Sequence, residues 1–136
     1  MQINSVSSTN FGMAYRVASK SELAKGFQKI TNPADWKAFN QARNTAINSL
    51  EKTAFAHINE YVNDSGDFCY ELERWITYIN PEICALDTEK TYETISDREA
   101  AVEKALIEEE ELKNLDAMRR EQFAEMEGNA DHNSLN

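Results

Sequence analysis

The sequence is poor in the residues that make turns. Its 136 residues include only four glycines and two prolines. β-Sandwiches and barrels need many tight turns, and Gly and Pro are prominent among the residues that form them. Residues that favour helices dominate instead. The composition therefore predicts an all-α fold, a small helical bundle.

Cysteine and long apolar segments are also scarce. Cys69 and Cys84 are too few for a disulfide framework and lack C-x-x-C spacing, so we expect two reduced thiols, with a single 69–84 bridge as the alternative. No stretch approaches the roughly 20 apolar residues of a membrane span. The first residues lack the basic start and apolar run of a secretory signal. We therefore predict a cytoplasmic protein without membrane contact.

Motifs of known reactions are missing as well. The sequence has no P-loop, no dinucleotide-binding glycine pattern, no H-E-x-x-H zinc motif, no EF-hand loop and no G-x-S-x-G. His57 and the two cysteines are candidate zinc ligands by type, but their spacing matches no common site. We accordingly predict no catalytic residues, no metal and no cofactor, and a protein that is not an enzyme.

Positive charge is scarce in the second half of the chain. The formal net charge is −10. Residues 1–63 contain seven bases and four acids (+3), whereas residues 64–136 contain seven bases and twenty acids (−13). Because like charges repel, direct binding to nucleic acid is disfavoured for this acidic half. A basic protein partner fits this charge, and so does a purely solubilising role.

The chain does have enough apolar material for one core. Hydrophobic residues make up 41% of it and aromatic residues 10%, which is typical of a folded protein. Its length suits one domain. We divide it into a weakly ordered N-terminal arm at 1–18, a helical domain at 19–127 and a disordered tail at 128–136.

Local sequence signals place the helices. Ser19 and Glu22 form a capping box that starts a short helix reaching about Ile30. Asn32-Pro33 combines a capping residue with a proline suited to the first turn, and apolar residues then recur at helical spacing, which predicts one long central helix over about 33–62.

A second apolar stripe at helical spacing runs from Phe68 to Ile79 and predicts another helix, and Asn80-Pro81 then opens a short one. The β-branched residues in 87–95 indicate a connection. A second capping box at Ser96 begins a long acidic C-terminal helix over about 97–127. The predicted core residues are Trp36, Phe39, Ile47, Leu50, Ile58, Phe68, Leu72, Trp75, Ile76 and Ile79.

Four consecutive glutamates, Glu108–Glu111, lie within the acidic helix. The seam that coiled-coil spacing selects consists of Ala101, Ala105, Glu108, Leu112, Leu115, Arg119, Gln122 and Met126. Three of its eight positions are polar, so a long coiled coil is not expected. In an antiparallel pair, Glu108 of one chain would face Arg119 of the other, so a homodimer through 101–126 is one hypothesis. Docking of this side on the protein's own body is another.

These observations predict a non-enzymatic protein–protein interaction or regulatory protein that acts through its acidic C-terminal helix. One alternative is a small acidic inhibitor that mimics nucleic acid and blocks a nucleic-acid-binding protein. A structural or virion component is a further alternative. The predicted interaction residues are Glu108, Glu109, Glu111, Leu112, Leu115, Arg119, Phe123 and Met126.

Overall fold

The computed structural model describes residues 14–26, 30 and 32–135. Within them it contains a four-stranded mixed sheet and three helices, so the prediction of an all-α helical bundle is wrong. The elements, in chain order, are β1 (Tyr15–Arg16), α1 (Lys20–Gly26), α2 (Pro33–Ser49), β2 (Ala56–Val62), β3 (Phe68–Asn80), β4 (Ala85–Ile95) and α3 (Arg98–Leu135). Residues 1–13 of the predicted arm, residues 27–29 of the first predicted helix and residue 136 of the predicted tail lie outside the described part.

The strands follow one another in the order β1-β2-β3-β4. β1 is parallel to β2, and the other two pairs are antiparallel. β2 pairs with β3 only from Phe68 to Arg74, whereas β4 pairs with β3 from Tyr70 to Asn80. β3 and β4 therefore continue beyond β2 as a two-stranded hairpin.

The predicted central helix over 33–62 is wrong in its second half. The helix ends at Ser49, and β2 occupies residues 56–62. Alternate residues of β2 are buried, as expected for a strand with one face toward the core. One of these inward positions is Glu60, so the alternation of apolar and polar residues is broken in the sequence although burial alternates.

The two helices predicted between Asp67 and Leu86 are wrong as well. β3 buries residues on both of its faces, Tyr70 and Leu72 on one and Cys69 and Glu73 on the other, which hides the two-residue period of a strand. The predicted connection over 87–95 lies in β4, where its β-branched residues favour a strand. The segment after Asn80 forms the β3–β4 turn.

The two hairpin turns use residues with positive φ. Gly66 (φ 83°) turns β2 into β3, where the Asn63 side chain accepts hydrogen bonds from the backbone N–H groups of Ser65 and Asp67. Cys84 (φ 51°) precedes β4 and adopts the left-handed region despite its side chain. The second turn is therefore backbone-strained at Cys84.

The helix starts agree with the local signals. Asn32 Oδ1 accepts a hydrogen bond of 2.8 Å from the Ala34 N–H, and Ser19 Oγ accepts one of 3.3 Å from the Glu22 N–H. At α3 the capping side chain is Asp97, which accepts 2.9 Å from the Ala100 N–H, one residue beyond the predicted Ser96. α3 continues to Leu135, past the predicted end at about Glu127.

The core lies between the sheet and the helices. Its largest fully buried side chains are Tyr15, Leu50, Ile58 and Leu72, and α3 contributes Ala101 and Ala105. Leu50, Ile58 and Leu72 confirm three of the predicted core positions. The other predicted core side chains are only partly buried. Among the described helices, none has both the length and the apolar character needed to cross a membrane.

Candidate functional site

Glu109, the second glutamate of the run, binds the backbone at the start of β2. Its carboxylate accepts hydrogen bonds from the N–H groups of Ala54, Phe55 and Ala56 at 2.7–3.1 Å. Three successive N–H groups pointing at one carboxylate form an anion-binding concavity. Glu109 is buried at 7% exposure, so this glutamate fixes α3 to the sheet.

Glu108 has its partner on β3. Its carboxylate accepts hydrogen bonds from Arg74, which also bonds Glu93 of β4. The hydrogen bond with Glu108 raises the pKa of Arg74 above its ordinary value. Lys104 and then Arg74 donate to Glu93, and these bonds lower the pKa of that carboxyl. The helix thereby gains a charged connection to both strands of the hairpin.

The other two glutamates of the run, Glu110 and Glu111, are exposed. Half of the run is therefore committed to holding the fold, and the other half faces solvent. The surface that a partner would meet at this point of α3 is less acidic than the sequence implies.

Further along α3, polar side chains meet the part of β3 that lies beyond β2. Arg119 Nη1 donates to the Thr77 backbone carbonyl at 3.0 Å, and Thr77 Oγ1 donates to Asp116 Oδ1 at 2.5 Å. Burial raises the pKa of Asp116, but the hydrogen bonds from Thr77 and Arg120 outweigh it, so the net shift is downward. Arg119 of α3 thus provides a donor for a backbone carbonyl of β3 beyond the part that pairs with β2.

These contacts bear on the homodimer hypothesis. The charge match that favoured an antiparallel pair joined Glu108 to Arg119 of a second chain. Both residues have partners inside one chain, on β3. Leu112 and Leu115 are half-buried on the same helix. The match therefore no longer argues for a dimer.

An apolar recess opens where the β3–β4 turn meets the distal part of α3. Its volume is about 270 Å³. We call it the distal recess, and it is lined by Ile79, Pro81, Cys84, Phe123, Met126 and Glu127. Met126 remains 54% exposed, and Ile83 at the neighbouring turn is 61% exposed. Large apolar side chains clustered in this way on a surface are typical of contact sites.

The distal recess lies in an acidic environment. Residues 75–90 and 110–128, which form this end of the molecule, contain nine acids and four bases, a net charge of −5. Three of the four bases are engaged with neighbouring groups, Arg119 with Thr77, Arg120 with Asp116 and Lys90 with the Trp75 ring. The lining of the recess itself is apolar except for one carboxylate, Glu127.

The structure divides the predicted interaction residues. Glu108, Glu109 and Arg119 hold α3 to the sheet, and Phe123 and Met126 reach the distal recess. Of the other three, Leu112 and Leu115 are half-buried on α3 and Glu111 is exposed. Sequence reasoning missed Ile79, Pro81 and Cys84, the opposite wall. Their signal was a proline-containing turn between two segments rich in aromatic and β-branched residues, which would have indicated a hairpin.

Other kinds of site find little support in the described residues. No group of three or more His, Cys, Asp or Glu side chains there is placed to hold a metal ion, and Cys69 and Cys84 are both free thiols. No family model matches the chain, and comparisons with curated proteins and with solved structures find no match either.

Proposed function

We propose that the protein is a non-enzymatic binding protein that contacts another protein through the distal recess. The observation that carries this proposal is the open apolar cavity between the β3–β4 turn and α3, beside the exposed side chains of Ile83 and Met126. Burying such side chains against a partner gains about 25 cal/mol for each Å² of apolar surface removed from water.

The size of the distal recess favours a protein side chain over a small molecule. Its volume of about 270 Å³ lies below the roughly 300–1,000 Å³ typical of small-molecule sites. An anchor residue of a partner, inserted between Phe123 and Met126, suits a shallow recess of this kind. The Glu127 carboxylate in the lining adds a preference for a basic residue beside that anchor.

The alternative of an acidic nucleic-acid mimic draws less support from the glutamate run. Glu108 and Glu109 are engaged inside the fold, so a mimic would rely on Glu110, Glu111 and the acids of the distal end. Salt separates the two proposals. An anchored apolar contact loses little affinity as salt rises, whereas a phosphate mimic releases its basic partner steeply.

A matched pair of methionines tests the distal recess. Met126 lines the recess, and Met118 is exposed to 47% on the same helix but does not line it. The partner is captured on immobilised wild-type protein and purified, and its affinity is measured by isothermal titration calorimetry. We expect Met126→Ser to weaken binding about tenfold or more, the usual loss for an anchor contact, and Met118→Ser to leave it unchanged.

Equal affinities for the two variants would show that the partner does not bind at the distal recess. Light scattering on the wild type over a range of concentrations checks whether the partner is a second copy of this chain. In that case the mass would rise with concentration, and Met126→Ser would abolish the rise.

A further inference from the structure

The last strand of the sheet has a long free edge. β4 runs from Ala85 to Ile95 and stands at the end of the strand order, so β3 is its one paired neighbour among the described residues. An edge strand carries backbone N–H and C=O groups that point away from its sheet, and natural proteins usually keep such edges short or cover them. We call the outward side of residues 85–95 the β4 edge.

The residues that point outward on this edge follow from the pairing of β3. The Trp75 N–H donates to the Phe55 carbonyl at 2.8 Å, so the odd-numbered residues of β3 direct their backbone groups toward the β2 side. The even-numbered residues of β3 therefore bond the odd-numbered residues of β4, for example Leu72 with Glu93. The even-numbered residues of β4 direct their N–H and C=O groups outward. They are Leu86, Thr88, Lys90, Tyr92 and Thr94.

The β4 edge is open to an approaching strand. Within residues 14–26, 30 and 32–135, no other segment of the backbone bonds its outward groups. The Thr88 N–H donates to the Asp87 side chain of the same strand at 2.8 Å. Lys90, Tyr92 and Thr94 are exposed, Tyr92 to 53%. An extended segment can therefore add a fifth strand to the sheet here.

The two faces of the β4 edge differ in charge. Side chains alternate between the faces of a strand, so Asp87, Glu89 and Glu93 lie on one face. Among the described residues, salt bridges engage only Glu93 of these three, and Asp87 and Glu89 are exposed. The opposite face contains no acid and presents β-branched and aromatic side chains together with Lys90. A strand added to this edge would therefore meet carboxylates on one face only.

A second copy of the chain is a poor occupant of the β4 edge. In an antiparallel pair, both copies would use the same outward groups, so the pairing would be centred on one residue. A centre at Lys90 places Lys90 opposite itself and Asp87 opposite Glu93. A centre at Thr91 places Glu89 opposite Glu93, and a centre at Glu89 places that residue opposite itself. These registers pair the most residues, and like charges directly opposite one another are destabilising, so the charges of β4 favour a basic partner instead.

We propose that the β4 edge pairs in antiparallel orientation with an extended segment of another protein, in which basic residues alternate with β-branched or aromatic residues. The backbone of the segment bonds the outward groups of β4. Its basic side chains lie opposite Asp87 and Glu89, and its other side chains lie opposite Thr88 and Tyr92. The distal recess is lined by residues outside β4, so this surface is tested separately from it.

Four peptides of equal length test the proposal on the wild-type protein by calorimetry. One alternates lysine with valine, and one alternates glutamate with valine. The other two are the lysine peptide with N-methyl groups on its valines or on its lysines. In the proposed pairing the valine N–H groups point at β4, and the lysine N–H groups point away.

We expect the lysine peptide to bind about tenfold more tightly than the glutamate peptide, because charged pairs replace like charges on one face. Methylation of the valines should abolish binding, and methylation of the lysines should leave it unchanged. Equal affinity of the lysine and glutamate peptides, or retained binding after methylation of the valines, would overturn the proposal.

Amide hydrogen exchange in the wild type shows where the peptide binds. In the free protein the outward N–H groups of Lys90, Tyr92 and Thr94 should exchange quickly, whereas those of Thr91 and Glu93, which bond β3, should be protected. Saturation with the lysine peptide should slow exchange at the outward groups about tenfold or more. Protection of these groups in the free protein would overturn the proposal, because the edge would then already be covered. Protection that rises with protein concentration would identify a second copy as the cover.

A matched pair of substitutions at Tyr92 tests the backbone contact. Proline lacks an N–H and is tolerated on an edge strand where that group faces away from the sheet. Tyr92→Pro should abolish binding of the lysine peptide, whereas Tyr92→Ala loses the same side chain, keeps the N–H and should weaken binding about fivefold at most. Wild-type affinity in Tyr92→Pro would refute the pairing. The exchange measurement needs no variant and decides the question if Tyr92→Pro does not fold.

The distal recess provides the control for location. Met126→Ser changes the recess and leaves β4 intact, so it should bind the lysine peptide with wild-type affinity. Loss of peptide binding in Met126→Ser would place the peptide in the distal recess and overturn its assignment to the β4 edge.

Discussion

One of the contacts that attach α3 to the sheet is the Glu109 carboxylate, and replacing it gives a direct test of its role in the fold. Glu109 accepts hydrogen bonds from the N–H groups of Ala54, Phe55 and Ala56. Glu109→Ala removes the acceptor for all three at once. Glu109→Gln keeps one acceptor oxygen of the same reach and removes the negative charge.

The expected loss of stability depends on which of the three N–H groups can bond water after Glu109 is replaced. Ala54 is exposed, so its N–H can bond water, whereas Ala56 is fully buried and Phe55 is half-buried. A buried donor left without a partner costs about 1–3 kcal/mol, and the lost bonds to a charged group are stronger than neutral ones. We therefore expect Glu109→Ala to lower the free energy of unfolding by about 3–4 kcal/mol and Glu109→Gln by about 1–2 kcal/mol.

Urea denaturation measures this change. With a slope near 2 kcal/mol per molar urea, a loss of 3 kcal/mol lowers the midpoint by about 1.5 M. Glu110→Ala is the matched control, because Glu110 is the exposed neighbour on the same helix, and it should change the free energy of unfolding by less than about 0.5 kcal/mol. Equal midpoints for Glu109→Ala and Glu110→Ala, at unchanged slope, would refute the structural role assigned to Glu109.

The structure also predicts the direction in which three further substitutions change stability. The bonds from Lys104 and then Arg74 lower the pKa of Glu93 below its ordinary 4.5. Their contribution to stability is therefore complete above that pH and is lost as pH falls below it. Glu93→Gln should make the urea midpoint fall less as the pH is lowered. Burial lowers the pKa of His57 below its ordinary 6.5, so the unfolded chain binds a proton first as pH falls, and His57→Phe should reduce the stability lost below pH 6.5. Cys84→Gly should raise the free energy of unfolding by about 0.5–1 kcal/mol, because glycine adopts positive φ without strain.

Controls for these changes come from neighbouring exposed positions. Glu121→Gln also removes one negative charge, but at an exposed position of α3. This variant should lose as much stability at acid pH as the wild type does. Glu82→Gly lies in the same turn as Cys84→Gly and should not stabilise the protein. If Cys84→Gly lowers the urea midpoint, strain at this residue is not a significant part of the stability.

Helix starts could be predicted from sequence because their causes are local. Asn32 and Ser19 accept hydrogen bonds from N–H groups two and three residues away, so a short pattern contains the whole interaction. The C-terminal helix was predicted within one residue of its start for the same reason.

The strands could not be predicted because their causes lie far along the chain. Glu60 faces inward on β2 only because Arg43 and Arg98 neutralise it, and those partners lie 17 and 38 residues away. Arg74 interrupts the apolar side of β3 in the same way, by pairing with Glu108. Charged residues at inward positions interrupted the two-residue hydrophobic period of β2 and β3, so both strands were predicted to be amphipathic helices.

The same distinction between local and distant causes applies to the residues of the candidate sites. Phe123 and Met126 stood out as apolar residues on an acidic helix, so two of the six residues that line the distal recess were among the predicted interaction residues. Its other wall comes from Ile79 and Cys84, which the hairpin brings to α3 from about 40 residues earlier in the chain. Glu109 was predicted to meet a partner, but it binds backbone N–H groups, which no side-chain pattern reveals.

The position of α3 over the edge of β3 has a consequence for synthesis. A ribosome completes β3 at Asn80 about 39 residues before it adds Arg119, which is roughly 2–8 s at ordinary translation rates. Until Arg119 is added, the Thr77 carbonyl of β3 lacks its donor, and until Glu109 is added, the N–H groups at 54–56 lack their acceptor. The nascent chain then exposes an unpaired strand to other nascent chains, so we expect its solubility during translation to depend on how quickly α3 follows.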